Sequence, residues 1–326
     1  VEATAAVEEE PVEPSIVRAK YVPPFRRKCA GGDASTLSTS LAPPADLPSD
    51  ASGGDDRYGY CVNQGPRVSM EDAIAAEQLL GSGNSNGAAA PTEFYAVYDG
   101  HSGTQAVEFV RRRLPVAISG HDSFGETDEI HEVLKDAFKI TDRELLDHIR
   151  ESSPSSNGVG GDLPSEMLAT LSLRTASVCQ MADNTYSLSS GCVGCIALVR
   201  GTMIHVANLG DCRALTCRQG EIHTLTADHR PDGNEFERQR LKDLDVKVST
   251  DGYLHGRIGV SRAFGDWAWE AEEKCRGLIC CPEMFDFEVT EDTEFLLLAC
   301  DGIFENMTSK EAGQIVRRSL RSTGSA

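Results

Sequence analysis

Long apolar runs are missing from this sequence. The longest near its end, Phe295-Leu296-Leu297-Leu298-Ala299-Cys300, falls far short of the roughly 20 residues that a membrane-spanning helix needs. No secretory leader is visible. The first ten residues carry Glu2, Glu8, Glu9 and Glu10, with neither a basic start nor an apolar core. The chain begins at Val1, so a leader already removed would leave no trace. Positive charge is scarce: Lys+Arg 31 stand against Asp+Glu 51, a formal net charge of −20. That excludes sequence-independent nucleic-acid binding, which needs basic side chains against phosphate. It also predicts repulsion from anionic membranes and suits the binding of divalent cations.

A disulfide framework is missing too. The cysteines number 11, an odd count without regular spacing, which predicts reduced thiols in a cytoplasmic or nuclear protein. The one Cys-x-x-Cys, Cys192-Val193-Gly194-Cys195, has no partner pair at zinc-site spacing. It runs on as Ile196-Ala197-Leu198-Val199, which reads as a strand rather than the exposed helix start of a redox motif. There is no Gly-x-Ser-x-Gly elbow, no Cys-x5-Arg loop and no internal repeat.

What is present is an ordinary globular composition, 326 residues with 40% hydrophobic, enough for one large domain or two small ones. Residues 1–56 mix Glu, Ala, Pro, Ser and Gly without period and read as a disordered acidic, Pro-rich tail. Within it, Lys20-Tyr21-Val22-Pro23-Pro24-Phe25-Arg26-Arg27-Lys28 reads as solvated linker, with a docking segment or nuclear signal as the alternative. From residue 57 the pattern becomes that of a folded domain reaching 326. Tyr58–Val62 and Ala73–Ala76 read as a strand pair, and Phe94–Tyr98 as a strand. Helical spacing runs over Thr104–Leu114 and Thr127–Ile149, where Ile130, Leu134, Phe138, Leu145 and Ile149 share a face. Residues 81–92 and 151–163 read as surface loops. Strands at Thr185–Leu188, Cys195–Val199, Met203–Ala207, Arg213–Cys217 and Ile222–Leu225 suggest an antiparallel meander. Residues 233–244 read as helix, Phe295–Cys300 as a buried strand, and Ser309 as the start of a helix that opens on Glu311 and closes on Arg317-Arg318. Strands and helices cluster separately, which favours packed sheets with helices outside over a parallel βαβ fold.

The chemistry lies in the acidic positions. The strand Phe94–Tyr98 runs into Asp99-Gly100, and Phe295–Cys300 runs into Asp301-Gly302. Each puts a carboxylate at the mouth of a strand, and the glycine leaves its own carbonyl reachable. Singly, such a step is an ordinary turn. Paired, and joined by Gly210-Asp211 and Gly265-Asp266, these steps form an oxygen-only donor set that favours Mg2+ or Mn2+ over zinc. Arg67-Val68-Ser69-Met70-Glu71-Asp72 adds a guanidinium suited to phosphate and two adjacent carboxylates. Alone it would read as an exposed charged hairpin. His101, directly after Asp99-Gly100, is placed to move a proton. Two divalent ions bridged by carboxylates would polarise a water for in-line attack on a phosphate.

These residues resemble the metal-dependent serine/threonine phosphatases of the protein phosphatase 2C type. The matching segments are Arg67–Ala73, Phe94–Gly103, Val206–Ala214, Thr226–Pro231, Gly259–Asp266 and Leu298–Gly302, in the family's order. The resemblance implies an α+β fold, a four-layer αββα sandwich with two antiparallel β-sheets flanked by helices. It implies dephosphorylation of phosphoserine and phosphothreonine in phosphoprotein substrates by a water activated between two Mn2+ or Mg2+ ions, in a monomer. Asp99, the Gly100 carbonyl and Asp301 would be direct ligands, with Glu71 and Asp72 acting directly or through water. Arg67 would clamp the phosphate and His101 serve as general acid. Asp211 would hold a weaker third ion with Asp301 and Glu305, where the family has a shorter Asp. Asp228, His229, Arg262 and Asp266 match motifs read as structural, holding strands and the flap. The family's late Asp-Asn ligand has no counterpart, since the only Asp-Asn is Asp183-Asn184. The domain is therefore expected to be truncated at its C-terminus. The alternative is a catalytically impaired binding or regulatory module. The segment Ser249–Tyr253 also offers no second phosphate-binding Arg before Arg257.

Overall fold

The computed structural model describes residues 50–54, 58–80, 92–125, 129–152, 189–268 and 273–323. The Lys20–Lys28 patch, the expected strand at Thr185–Leu188 and nearly all of both expected loops lie outside these described residues. In chain order the elements are β1 (Asp50–Gly54), β2 (Gly59–Asn63), β3 (Ala73–Leu79), β4 (Thr92–His101), α1 (Gln105–Ser119) and α2 (Ile130–Ser152). They continue with β5 (Gly191–Arg200), β6 (Met203–Leu209), β7 (Arg213–Arg218), β8 (Glu221–Thr224) and α3 (Glu235–Asp243). The short strands β9 (Phe264–Gly265), β10 (Trp267–Ala268) and β11 (Glu273–Lys274) come next. Last are β12 (Glu283–Glu288), β13 (Thr293–Ala299), the single turn α4 (Asp301–Phe304) and α5 (Ser309–Thr323).

Side-chain alternation along β4 and β5 divides the molecule into two cores. Phe94, Ala96 and Tyr98 of β4 and Ile196 and Leu198 of β5 face α1 and α2, where they meet Leu114, Leu134 and Phe138. Val193, Cys195 and Ala197 face the other way, toward Ala214 of β7 and Leu296 and Leu298 of β13. Each fully buried side chain of this size is worth about 1.5–3 kcal/mol. The first sheet runs β12-β6-β5-β4-β3, antiparallel throughout, with β9 attached to β5. The second runs β13-β7-β8. α5 covers its far side, where Gly313 lies close against Ile222 and Gln314 donates to the Gly220 carbonyl at 2.9 Å. This is the expected α+β sandwich of two antiparallel sheets between helical layers.

Local chemistry sets the helix starts. Asn234 Oδ1 accepts from the N–H groups of Phe236 and Glu237 at 3.1 and 3.2 Å, capping α3. At α5 the cap is Thr308, one residue before the expected start. Glu311 accepts from the Thr308 N–H at 2.9 Å and donates its own N–H to Thr308 Oγ1 at 3.2 Å, a capping box.

Four expectations need correction. Residues 50–54, assigned to the tail by composition, pair with β2 as β1. β2 and β3 are not partners. β3 buries Ile74, Ala75 and Ala76 in succession and belongs to the main sheet as its end strand, where it pairs with β4 from Ala73↔Tyr98 to Leu79↔Thr92. The meander is split, because the chain leaves one sheet after β6 and enters the other at β7. It does so through Gly210 (φ +105°), where any Cβ would lie 2.2 Å from Val193 Cγ1. β13 is half-buried from Phe295 to Leu298, with Glu294 exposed and only Ala299 buried, because among the described residues only β7 flanks it. No helix among the described residues is long and apolar enough to cross a membrane.

Candidate functional site

The carboxylates arrive from three separate places. Asp99 closes the apolar part of β4. Asp301 opens α4 one residue beyond β13, with Cys300 between them; β13 belongs to the other sheet. Asp72 precedes Ala73, whose register partner is Tyr98, one residue before Asp99. Asp99 therefore comes within hydrogen-bonding reach of both Asp72 and Asp301. Cys300 adds a thiol that donates to Asp72 Oδ2 at 3.3 Å. At Gly100 a Cβ would stand 2.3 Å from the Glu71 carbonyl oxygen, so only glycine lets the Glu71-Asp72 main chain lie on this strand end. Asp211, 6% exposed, follows the Gly210 turn and accepts from Arg230 at 3.1 Å.

Crowding of like charges governs the electrostatics. Burial, then the Asp72 and Asp301 carboxylates, push the Asp99 carboxyl up to about 9. Burial and Asp301 also raise Asp72, against the opposing Cys300 hydrogen bond and the Arg67 charge. Asp211 is raised by burial and by Asp301, with Arg230 opposing. The nearby cations do not neutralise the cluster. Half-buried carboxylates gathered this closely, beside the Gly100 carbonyl, are a donor set that fits hard divalent cations.

His101 is held from the other side. Its Nε2 lies 2.9 Å from both carboxylate oxygens of Asp266. Burial works to lower the imidazole pKa, but the Asp266 charge and hydrogen bond outweigh it, helped by Glu71 and Asp211, so the net shift is upward. Asp266 is 2% exposed and adopts φ +53°. Space for the pair comes from Gly191, the β5 partner of His101, where a Cβ would meet Asp266 Oδ2 at 2.4 Å and His101 Nε2 at 2.6 Å. The turn is fixed by Asp142 of α2, which accepts from the Gly265 N–H at 2.8 Å and from Lys274 Nζ at 2.9 Å.

The structure thus brings together Asp72, Asp99, Gly100 and Asp301, with the Glu71 main chain against Gly100. Arg67 is exposed on the loop ahead of them, and Ser69 Oγ donates to Glu71 Oε1 at 3.0 Å. Glu305 is exposed, one turn beyond Asp301, and donates its N–H to the Asp301 carbonyl at 2.7 Å. Among the described residues no hydrogen bond or ion pair joins its side chain to Asp211. The motif residues read as structural keep that role in three cases. Asp228 pairs with Arg213 at 2.6 Å, Arg262 with Glu237 at 2.6 Å, and His229 Nδ1 accepts from the Gly210 N–H at 3.0 Å. Asp266 is the exception, since it orients His101. The sequence signal is its Gly-Asp step, shared with Gly210-Asp211. Cys192 and Cys195 are buried in β5, and burial raises both thiols, in keeping with the strand reading.

The chain matches the family model described as "Protein phosphatase 2C" over residues 56–163 and 160–326. It is 33% identical over 273 residues to "Probable protein phosphatase 2C 22" of Arabidopsis thaliana, covering 81% of this chain and 60% of that protein. With "Probable protein phosphatase 2C 13" of the same organism it shares 36% over 272 residues, 82% of this chain and 63% of that protein. The chain thus spans less than two thirds of these curated relatives. Among solved structures, the serine-threonine phosphatase 2C from Toxoplasma gondii superposes with a TM-score of 0.56 at 20% identity, covering 79% of this chain and 81% of that one. That likeness shows a shared fold. The family match runs through every element that carries the gathered carboxylates and His101, and the chain belongs to the protein phosphatase 2C family.

Proposed function

We propose that this chain hydrolyses phosphoserine and phosphothreonine in proteins with the help of Mn2+ or Mg2+ held at the Asp99 cluster. The observation that carries the reading is the convergence of Asp72, Asp99 and Asp301 from two sheets and a loop, with the Asp99 carboxyl pushed up to about 9 by burial and its neighbours. Asp99, Asp301 and the Gly100 carbonyl would hold two ions, with Asp72 and Glu71 acting directly or through water. Asp211 would take part in a weaker third site with Asp301, and Glu305 has the longer arm to join it. Such ions, when bound, supply an activated water and neutralise phosphate charge.

The remaining steps belong to the chain's own groups. Arg67, exposed ahead of the cluster, presents a planar guanidinium that matches two phosphoryl oxygens. The Asp266 carboxylate favours the charged form of His101 and lies 2.9 Å from its Nε2. The proton for the departing seryl or threonyl oxygen then leaves from Nδ1, so the general acid is already oriented before the substrate arrives.

The test is Mn2+-dependent hydrolysis of p-nitrophenyl phosphate and of a phosphothreonine peptide. Asp99→Ala and Asp301→Ala should each abolish turnover. Hydrolysis that persists in excess chelator overturns the reading.

A further inference from the structure

A second group of metal-ligating side chains lies on the same sheet, away from the Asp99 cluster. His205 of β6 and Asp286 of β12 are register partners on neighbouring strands. Both lie on the sheet face that packs against the helices, as their neighbours Ala207 and Met284 show. His131, in the first turn of α2, comes down on them. Its Nε2 is 2.9 Å from both Asp286 oxygens, and His205 Nδ1 is 2.9 Å from Oδ1. The three ligand atoms lie within 4.8 Å of one another. The two rings stand nearly perpendicular, at 84° with centroids 6.2 Å apart, so both can turn a nitrogen to one point without stacking.

Position separates this group from the proposed catalytic centre. His205 pairs with Leu198, whereas Asp99 pairs with Val193 on the same strand, β5. Five residues of strand span about 16 Å at about 3.3 Å each. Donor chemistry separates them again. The Asp99 cluster offers oxygen alone, while this group offers two imidazole nitrogens and one carboxylate, the set that borderline transition ions prefer over Mg2+.

Geometry decides what would have to move. Four-coordinate zinc bonds to nitrogen and oxygen are about 2.0–2.2 Å, which puts neighbouring donors about 3.3–3.5 Å apart. The 2.9 Å contacts must therefore open by about half an ångström. Asp286 is exposed and His131 half-buried, so both can make that adjustment, while buried His205 stays fixed. The carboxyl is ready as a ligand. Burial alone would raise it, but the His205 and His131 hydrogen bonds prevail and hold it below the usual carboxylate range.

We propose that His131, His205 and Asp286 form a second cation site, for a divalent transition ion of the zinc class, which ties the start of α2 to the β6 and β12 edge of the sheet. Its role would be structural rather than catalytic.

Cobalt(II) titration of the whole chain in excess Mg2+ tests this. Visible absorption distinguishes a low-coordinate, nitrogen-ligated ion from a six-coordinate, all-oxygen one. The expected result is one equivalent with the intense low-coordinate spectrum, retained in Asp99→Asn. In His131→Asn and Asp286→Asn, both at accessible positions, the affinity of that class should fall at least tenfold, with unchanged circular dichroism. Three results would each overturn the site: no low-coordinate band, a band lost in Asp99→Asn, or wild-type affinity in both His131→Asn and Asp286→Asn.

Discussion

His101 Nε2 is equidistant, at 2.9 Å, from the two oxygens of a carboxylate, Asp266, that stands 165 positions further along the chain. The pair is possible because Gly191 has no side chain. A buried carboxylate facing an imidazole favours the charged ring, and a charged ring is what a general acid requires.

Asp266→Asn should therefore lower the His101 pKa. Protonated His101 is the active form, so the alkaline limb of the pH–rate profile should move to lower pH. On the phosphatase reading, kcat near neutral pH should drop on the order of 10²-fold, the low end of what acid catalysis contributes, with KM little changed. A pH–rate profile of mutant against wild type checks this, and an unmoved alkaline limb would refute the coupling.

Gly100→Ala places a methyl group 2.3 Å from the Glu71 carbonyl oxygen. The Glu71-Asp72 segment must move off the strand end, at a cost of about 1–3 kcal/mol typical of overpacking. The Mn2+ concentration for half-saturation should rise more than tenfold by calorimetric titration. Gly233→Ala, whose Cβ would meet nothing within 4 Å, should leave it unchanged and serves as the control.

Cation binding should release protons. Burial and the Asp72 and Asp301 carboxylates push Asp99 up to about 9, so it is largely protonated at neutral pH. A divalent ion favours the ionised form, and below about pH 9 binding must expel that proton. Mg2+ titrations in buffers of different ionisation enthalpy should show roughly one proton released per chain near neutral pH. Asp99→Asn should reduce that release, the rest coming from Asp72 and Asp211, which are raised as well.

Glu237, 1% exposed, meets Arg262 at 2.6 Å and Arg240 at 2.7 Å, and accepts from Ser261. Burial would raise its carboxyl, but these partners prevail and bring it down to about 2 from 4.5. A depressed carboxyl contributes stability that is complete above its unfolded value. That stability is lost as pH falls from about 4.5 through about 2, and it amounts to about 3 kcal/mol. Urea denaturation across this range should show the loss in wild type. Glu237→Gln should be less stable near neutral pH by about 3–5 kcal/mol and nearly flat across that acid range.

Much of the fold and site was legible because the signals are local. A run such as Phe94–Tyr98 must be a strand, and an Asp-Gly step after it must stand at the strand's mouth. The five apolar positions from Ile130 to Ile149 are all buried on α2. What the sequence did not show is pairing at a distance. Nothing in Tyr58–Val62 says that its partner precedes it, and nothing in Arg213–Cys217 says that the chain has changed sheets. The same holds for Asp266, whose role depends on Gly191 leaving room 75 residues earlier, and for Asp286, which acts only opposite His205.

The inter-sheet core has one more implication. Asp99 is anchored in one sheet, while Asp301 stands two residues beyond the end of a strand in the other. An ion shared between them would act as a rivet across the sandwich. By thermodynamic reciprocity, an ion that binds only while both sheets are packed stabilises that packing by the free energy with which the packing favours the ion. Shortening Leu296 or Val206, both on the inter-sheet core, should lower the melting temperature, and saturating ion should return part of that loss.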